Sequence, residues 1–208
     1  MDVPQFPEAT EKLGASVGEI VARYAANLTY EDLPDDIVWS ANRAILDTFG
    51  CALGGYTAEP SRIALKLASS VSAQQPATVL FTGTKTAPDL AVFANGVMIR
   101  YLDFNDAFVS QTNGAGHPSD MIAALLAAAE LRQRSGRDLI TATVLAYEVF
   151  CKIADVFDYL GNGIDHSTIT GMGSVVGAGW LMGLTPEQMV RDRDYGRGQY
   201  GHAARPRR

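Results

Sequence analysis

From Ser16 to Val190 apolar residues return at spacings of three and four, the runs are broken by short polar or glycine-containing stretches, and Val, Ile and Thr dominate no long segment. That pattern selects amphipathic helices stacked on one another and excludes an all-β sandwich. Ser16 caps a first helix to about Leu28. Leu33-Pro34 opens a longer one that Gly54-Gly55 stops, since proline suits a first helical turn and glycine a helix end. A third spans Ser61 to Ser70. Ala77 to Phe81 is the one plausible strand, an arm of a small hairpin. Thr86 to Asp89 caps a helix through Leu90, Phe93, Val97 and Tyr101, and further helices run from Pro118 to Ser135-Gly136, from Asp138 to about Phe157, and from His166 to Met182. The expected fold class is all-α, with at most a short β-hairpin.

A chain of 208 residues with 47% hydrophobic residues can bury enough surface for a core without disulfide or metal staples. Its only cysteines, Cys51 and Cys151, lie in apolar stretches 100 positions apart and cannot build a zinc knuckle or cluster site. Residues 1–190 are expected to form the folded domain. From Arg191 the sequence RDRDYGRGQYGHAARPRR holds six arginines against two aspartates and no Leu, Ile, Val, Phe or Met, so residues 191–208 are expected to be a basic, disordered tail, with foreign sequence joined to a truncated domain as the alternative reading. The net charge of −6 therefore conceals a body with 11 basic against 21 acidic groups. Such a body does not attract nucleic acid, and two aromatics in the tail make a weak case for RNA. Ile169 to Leu184 is 16 residues with five glycines, short of the ~20 apolar residues of a membrane span. Met1 to Lys12 is acidic where an export signal would be basic then apolar. No membrane partner and a cytoplasmic location are expected.

Chemistry concentrates in YLDFNDAFVSQTNGAGHPSD, residues 101–120. Asp103, Asn105 and Asp106 leave one helix end, and His117 precedes the next helix. Helix ends converging on polar groups can hold an anion, and a histidine can move protons near neutral pH. The plainer alternative is a capping loop with His117 merely packed, which composition alone favours. A calcium loop from Asp103 fails, because Phe108 and Gly114 stand where glycine and glutamate are needed. His117 and His166 lack the spacing of a helical zinc pair, so no metal site is assigned. No phosphate-binding loop or nucleophile elbow occurs. A second cluster, Asp165-His166-Ser167-Thr168, sits where a helix amino terminus favours a neutral imidazole able to act as base or donor; a simple cap by Asp165 or Ser167 is equally compatible.

The runs ANRAILDTFGCALGG, AVFANGVMIRYLDFNDAF, HPSD, LITATVLAYEV, DHST and LMGLTPEQM, in this order along the chain from residue 41, make the chain resemble the MmgE/PrpD family over roughly residues 16–189. YLDFND and DHST look most like its 2-methylcitrate dehydratase branch; cis-aconitate decarboxylase and iminodisuccinate epimerase are its other activities. The resemblance implies a cofactor- and metal-independent hydro-lyase acting on small polycarboxylates, a large helical domain with a smaller α/β domain, and a homodimer. It carries over Asp103, His117 and His166 as catalytic positions. His117 is then the leading acid/base, His166 a second acid/base or carboxylate contact, and Asp103 the orienter of His117. Asn105, Asp106, Ser119 and Ser167 are candidate substrate contacts. Ala107 stands where the family often has threonine, and the family's later lysine and tyrosine site residues have no counterpart. The chain is therefore expected to be inactive alone, or a non-catalytic helical remnant retaining a dimer surface.

Overall fold

The computed structural model describes residues 16–111 and 114–190; the expected tail, 191–208, lies outside the described residues. Helix α1, Val17–Asn27, opens on a reciprocal cap: Glu19 N–H donates to Ser16 Oγ, and Ser16 N–H donates to Glu19 Oε2 at 2.6 Å. A 3₁₀ turn at Tyr30–Asp32 leads to α2, Asp35–Gly55, which follows Pro34. Helix α3, Glu59–Ala68, starts two residues before the expected Ser61, because Pro60 sits in its first turn. The expected strand is shorter than its β-branched run suggests. Ala77–Thr78 (β1) ladders antiparallel with Lys85–Thr86 (β2), Val79 N–H still donates to the Thr84 carbonyl at 2.8 Å, and the chain turns from Leu80 on, Phe81 with φ of 62°.

Helix α4, Pro88–Arg100, ends at the polar loop. That loop carries an unanticipated second hairpin, Phe108–Val109 (β3) against Ala115–Gly116 (β4); its ladder is two residues long, too brief for an alternating signal. A 3₁₀ turn, Pro118–Met121, then precedes α5, Ile122–Leu131. Helix α6, Gly136–Val156, begins where the sequence suggested that α5 ends. Ser135 caps it, its Oγ accepting from Asp138 N–H while Asp138 returns a carboxylate to Ser135 N–H. Helix α7, His166–Met182, is capped by Asp165. The mostly helical architecture with short hairpins agrees with the expected class. Among the described residues no helix is long and apolar enough to cross a membrane.

Helix α5 is apolar except for Glu130, and six of its ten residues are buried, on faces toward both core layers. Ala123 and Ala127 face a core layer with Ala52, Ala91, Ala94, Met98 and Ile99 from α2 and α4. Leu125, Ala128 and Ala129 face a second layer with Ala142, Ala146, Phe150, Ile169 and Leu181 from α6 and α7. The glycines of α7 make the second layer possible: a Cβ on Gly173 would stand 2.8 Å from the Ala146 carbonyl oxygen and collide with Met121 Sδ. Backbone–backbone approach of that kind lets α6 and α7 lie side by side. Glu130 then ties α5 to the first hairpin, accepting from Thr78 N–H and from Lys85 Nζ, both at 2.7 Å. Burial raises its carboxyl, but those hydrogen bonds prevail and hold it below the usual glutamate range.

Candidate active site

Two helix ends and one loop build the site. Helix α4 stops at Arg100, and Asp103 follows in the left-handed region at φ 55°, which an aspartate tolerates better than most residues. That turn folds the Asp103 carboxylate back onto Arg100, whose Nη1 donates to Oδ1 at 2.5 Å. The Arg100 guanidinium also faces Asp120, with Nε 3.7 Å from Oδ2.

The other side of the site comes from β4 and α7. Gly116 brings the chain close against α6 and α7: an added Cβ would sit 2.8 Å from Phe150 Cζ and 2.9 Å from His166 Cβ. With no side chain there, His117 swings beside His166, ring centroids 5.7 Å apart and planes at 67°. His117 is 18% and His166 25% exposed, so both rings reach solvent at one edge.

His117 Nδ1 lies 2.8 Å from the Asp106 carbonyl oxygen. A carbonyl can only accept, so Nδ1 carries the hydrogen, and in the neutral imidazole the lone pair sits on Nε2. That nitrogen is 3.6 Å from Asp103 Oδ1, an ion-pair separation rather than a hydrogen bond. The orienting contact expected from Asp103 is therefore made by the Asp106 backbone, and Asp103, 68% exposed, leans on Arg100 instead.

Below the histidines runs a buried polar network. Ser119 N–H donates to Asp106 Oδ1 at 2.9 Å, and Asn105 Nδ2 donates to Ser119 Oγ and to Asp120 Oδ1, each at 2.9 Å. Asn105 Oδ1 is buried without a hydrogen-bond partner among the described residues. Burial lifts the Asp120 carboxyl above the usual range, opposed by Arg100, the two histidines and Asn105. Burial and the neighbouring Asp106 carboxylate push the Tyr147 phenol up as well.

The structure thus gathers Asp103, Asn105, Asp106, His117, Ser119 and His166 in one place, with Asn105 and Ser119 committed to each other inside it. Ser167 is exposed, and its N–H donates to the capping Asp165. Arg100, Gly116, Asp120 and Phe150 belong to the assembly and escaped sequence reasoning. A half-open groove of about 440 Å³ between α2 and α6 reaches Asp106 from another direction; Arg43, Asp47, Tyr147, Glu148 and Cys151 line it, and neither histidine does.

Comparison with known proteins gives a consistent picture. A model of the MmgE/PrpD N-terminal domain matches residues 19–191. An alkylcitrate dehydratase of Talaromyces stipitatus is 32% identical over 193 residues, 82% of this chain and 39% of that protein. The 2-methylcitrate dehydratase of Escherichia coli is 29% identical over 168 residues, 73% of this chain and 33% of its own length. A 2-methylcitrate dehydratase of Yarrowia lipolytica, designated mitochondrial, is 28% identical over 167 residues, 72% of this chain and 31% of that protein. The matched segment spans about a third of these relatives.

Proposed function

We propose that this chain, which belongs to the MmgE/PrpD family, carries the histidine-bearing wall of a hydro-lyase site that dehydrates 2-methylcitrate or a similar alkylcitrate. The observation that carries this reading is the facing pair His117 and His166, with the tautomer of His117 fixed by the Asp106 carbonyl. Dehydration breaks a C–H bond next to a carboxylate and a C–O bond on the neighbouring carbon, forms the C=C bond, and releases water. His117 Nε2, bearing the lone pair, takes the carbon-bound proton, and the second imidazole, when protonated, delivers a proton to the departing hydroxyl. Asp103 stabilises the imidazolium that forms on His117. The reaction proposed needs no metal or cofactor, and the protein is proposed to work in the cytoplasm.

The substrate's carboxylates and developing enolate need cationic or N–H partners. Arg100 is already shared between Asp103 and Asp120. Residues from the other two-thirds of a relative-length protein are proposed to complete the anion-binding wall. The test compares 2-methylcitrate dehydration by this chain with that by a polypeptide carried to the length of its relatives. Activity should appear in the longer protein, survive chelator, and be undetectable in the shorter one. Equal turnover by both would refute the division of the site; no turnover by the longer protein would refute the reaction.

A homodimer is also proposed. Its support is on α2, where Trp39, Leu46 and Leu53 are exposed at seven-residue intervals on one face, with the Arg43 guanidinium 5.0 Å from the centre of the Trp39 ring. Paired antiparallel about Leu46, two such faces would cover each other. Light scattering should give a dimer mass that Leu46→Glu reduces to a monomer. A monomeric parent, or a dimer indifferent to Leu46→Glu, would remove this face from the assembly.

A further inference from the structure

The polar network beneath the histidines has a feature that binding and acid/base chemistry do not require. Both contacts of His117 are held from behind by one arrangement of charges. On the Nε2 side, Asp103 is gripped by Arg100. On the Nδ1 side, the Asp106 carbonyl is fixed by a residue whose carboxylate accepts from Ser119 N–H, and Ser119 Oγ is held by Asn105. The two sides meet at Asp120, which takes Nδ2 of Asn105 on Oδ1 and faces Arg100 with Oδ2.

We infer that Arg100 and Asp120 are positioning residues that together set how readily His117 takes a proton, Arg100 by drawing Asp103 away from the imidazole and Asp120 by competing with Asp103 for that guanidinium and adding a second negative charge to the network. Left alone, Asp103 in its left-handed turn could close on Nε2 and hold a proton there permanently, leaving no base. With Arg100 competing for the same oxygen, at 2.5 Å against 3.6 Å, the carboxylate stays near enough to stabilise the cation without capturing it. Asp120 is the counterweight: a second, more buried carboxylate that shares the guanidinium with Asp103.

Among the described residues, this network holds charged and titratable groups from five elements. Arg100 and Asp103 come from the end of α4, Asp106 from the following loop, Asp120 from the 3₁₀ turn, His166 and Asp165 from the start of α7, and Tyr147 from α6. Removing the Arg100 charge deletes a repulsion on imidazolium and frees two carboxylates, so the His117 titration should move up. Removing the Asp120 charge deletes an attraction, so it should move down. Two side chains with a merely structural role would not produce opposite signs.

The inference rests on His117 being the acid/base, but its test needs no turnover and uses the chain as it stands. The sequence has three histidines, 117, 166 and 202, whose ring protons can be followed through a pH titration by NMR and assigned by His→Gln variants. Removing a charge several ångströms away in a partly exposed site should move the midpoint by roughly 0.5–1 pH unit. Arg100→Gln is expected to raise the His117 midpoint by about that much, and Asp120→Asn to lower it. The double variant should return near the parent, and Arg100→Lys should stay near it. The inference is overturned if Arg100→Gln leaves the midpoint in place or lowers it. Should Arg100→Gln fail to fold, Asp120→Asn decides alone, and a midpoint that does not fall overturns the inference. A normal shift pattern in a protein that never dehydrates 2-methylcitrate would leave this device standing and dispose only of the reaction.

Discussion

In a polypeptide of relative length, His117→Ala should lower 2-methylcitrate dehydration by about 10²–10⁴, the usual range for losing a positioned general acid or base. The effect should fall on kcat more than on KM, because the imidazole acts on the proton in flight and its one polar anchor is the protein's own Asp106 carbonyl. His166→Ala should be comparably severe if the second imidazole delivers the leaving-group proton. Near-normal activity in His117→Ala would return that residue to the capping role that loop composition favours. Because His117 reaches solvent at one edge, its removal should not unfold the protein, and circular dichroism of the variant checks this.

Phe150→Ala should cost about 3–5 kcal/mol of stability, the range for removing a large aromatic side chain from a core. That is a large share of the 5–15 kcal/mol of a typical domain. Phe150 is fully buried on α6, meets Phe108 edge-on at 6.3 Å between centroids, and lies under Gly116. It therefore supports both the second hairpin and the strand that delivers His117. The expected result is a urea midpoint shifted far down at unchanged slope, with the His117 and His166 ring resonances displaced in whatever fraction stays folded. A loss below about 1 kcal/mol would mean that the cavity collapses and that the hairpin does not depend on this ring.

Glycine gives an instructive division between sequence and structure. The recurrence of Gly171, Gly173, Gly177, Gly179 and Gly183 marks α7 as a closely approached element by spacing alone; Gly173 and Gly177 do meet α6 and α5, whereas Gly171 faces open space. Gly116 gives no such sign. It sits among Asn113, Gly114 and Ala115, where any glycine looks like ordinary loop composition. Its role depends on Phe150 and His166, 34 and 50 positions away, being brought to it.

The helices, their order, the family and the neighbourhood of His117 were legible from local spacing, because a 3.6-residue period, a capping side chain and a motif all act within a few residues of each other. Boundaries failed where one residue could serve two helices, as Ser135 does, ending one pattern and capping the next, and where an element is only a turn long, as at Pro118–Met121 and in the two hairpins. Tertiary structure alone decided which group orients His117, since a backbone carbonyl has no sequence signature and Asp106 supplies one. It also decided that Asp103 is divided between Arg100 and His117, and that Asp120 lies buried beside them. Competition for one carboxylate oxygen is settled by about an ångström between side chains from separate segments, and no periodicity encodes that.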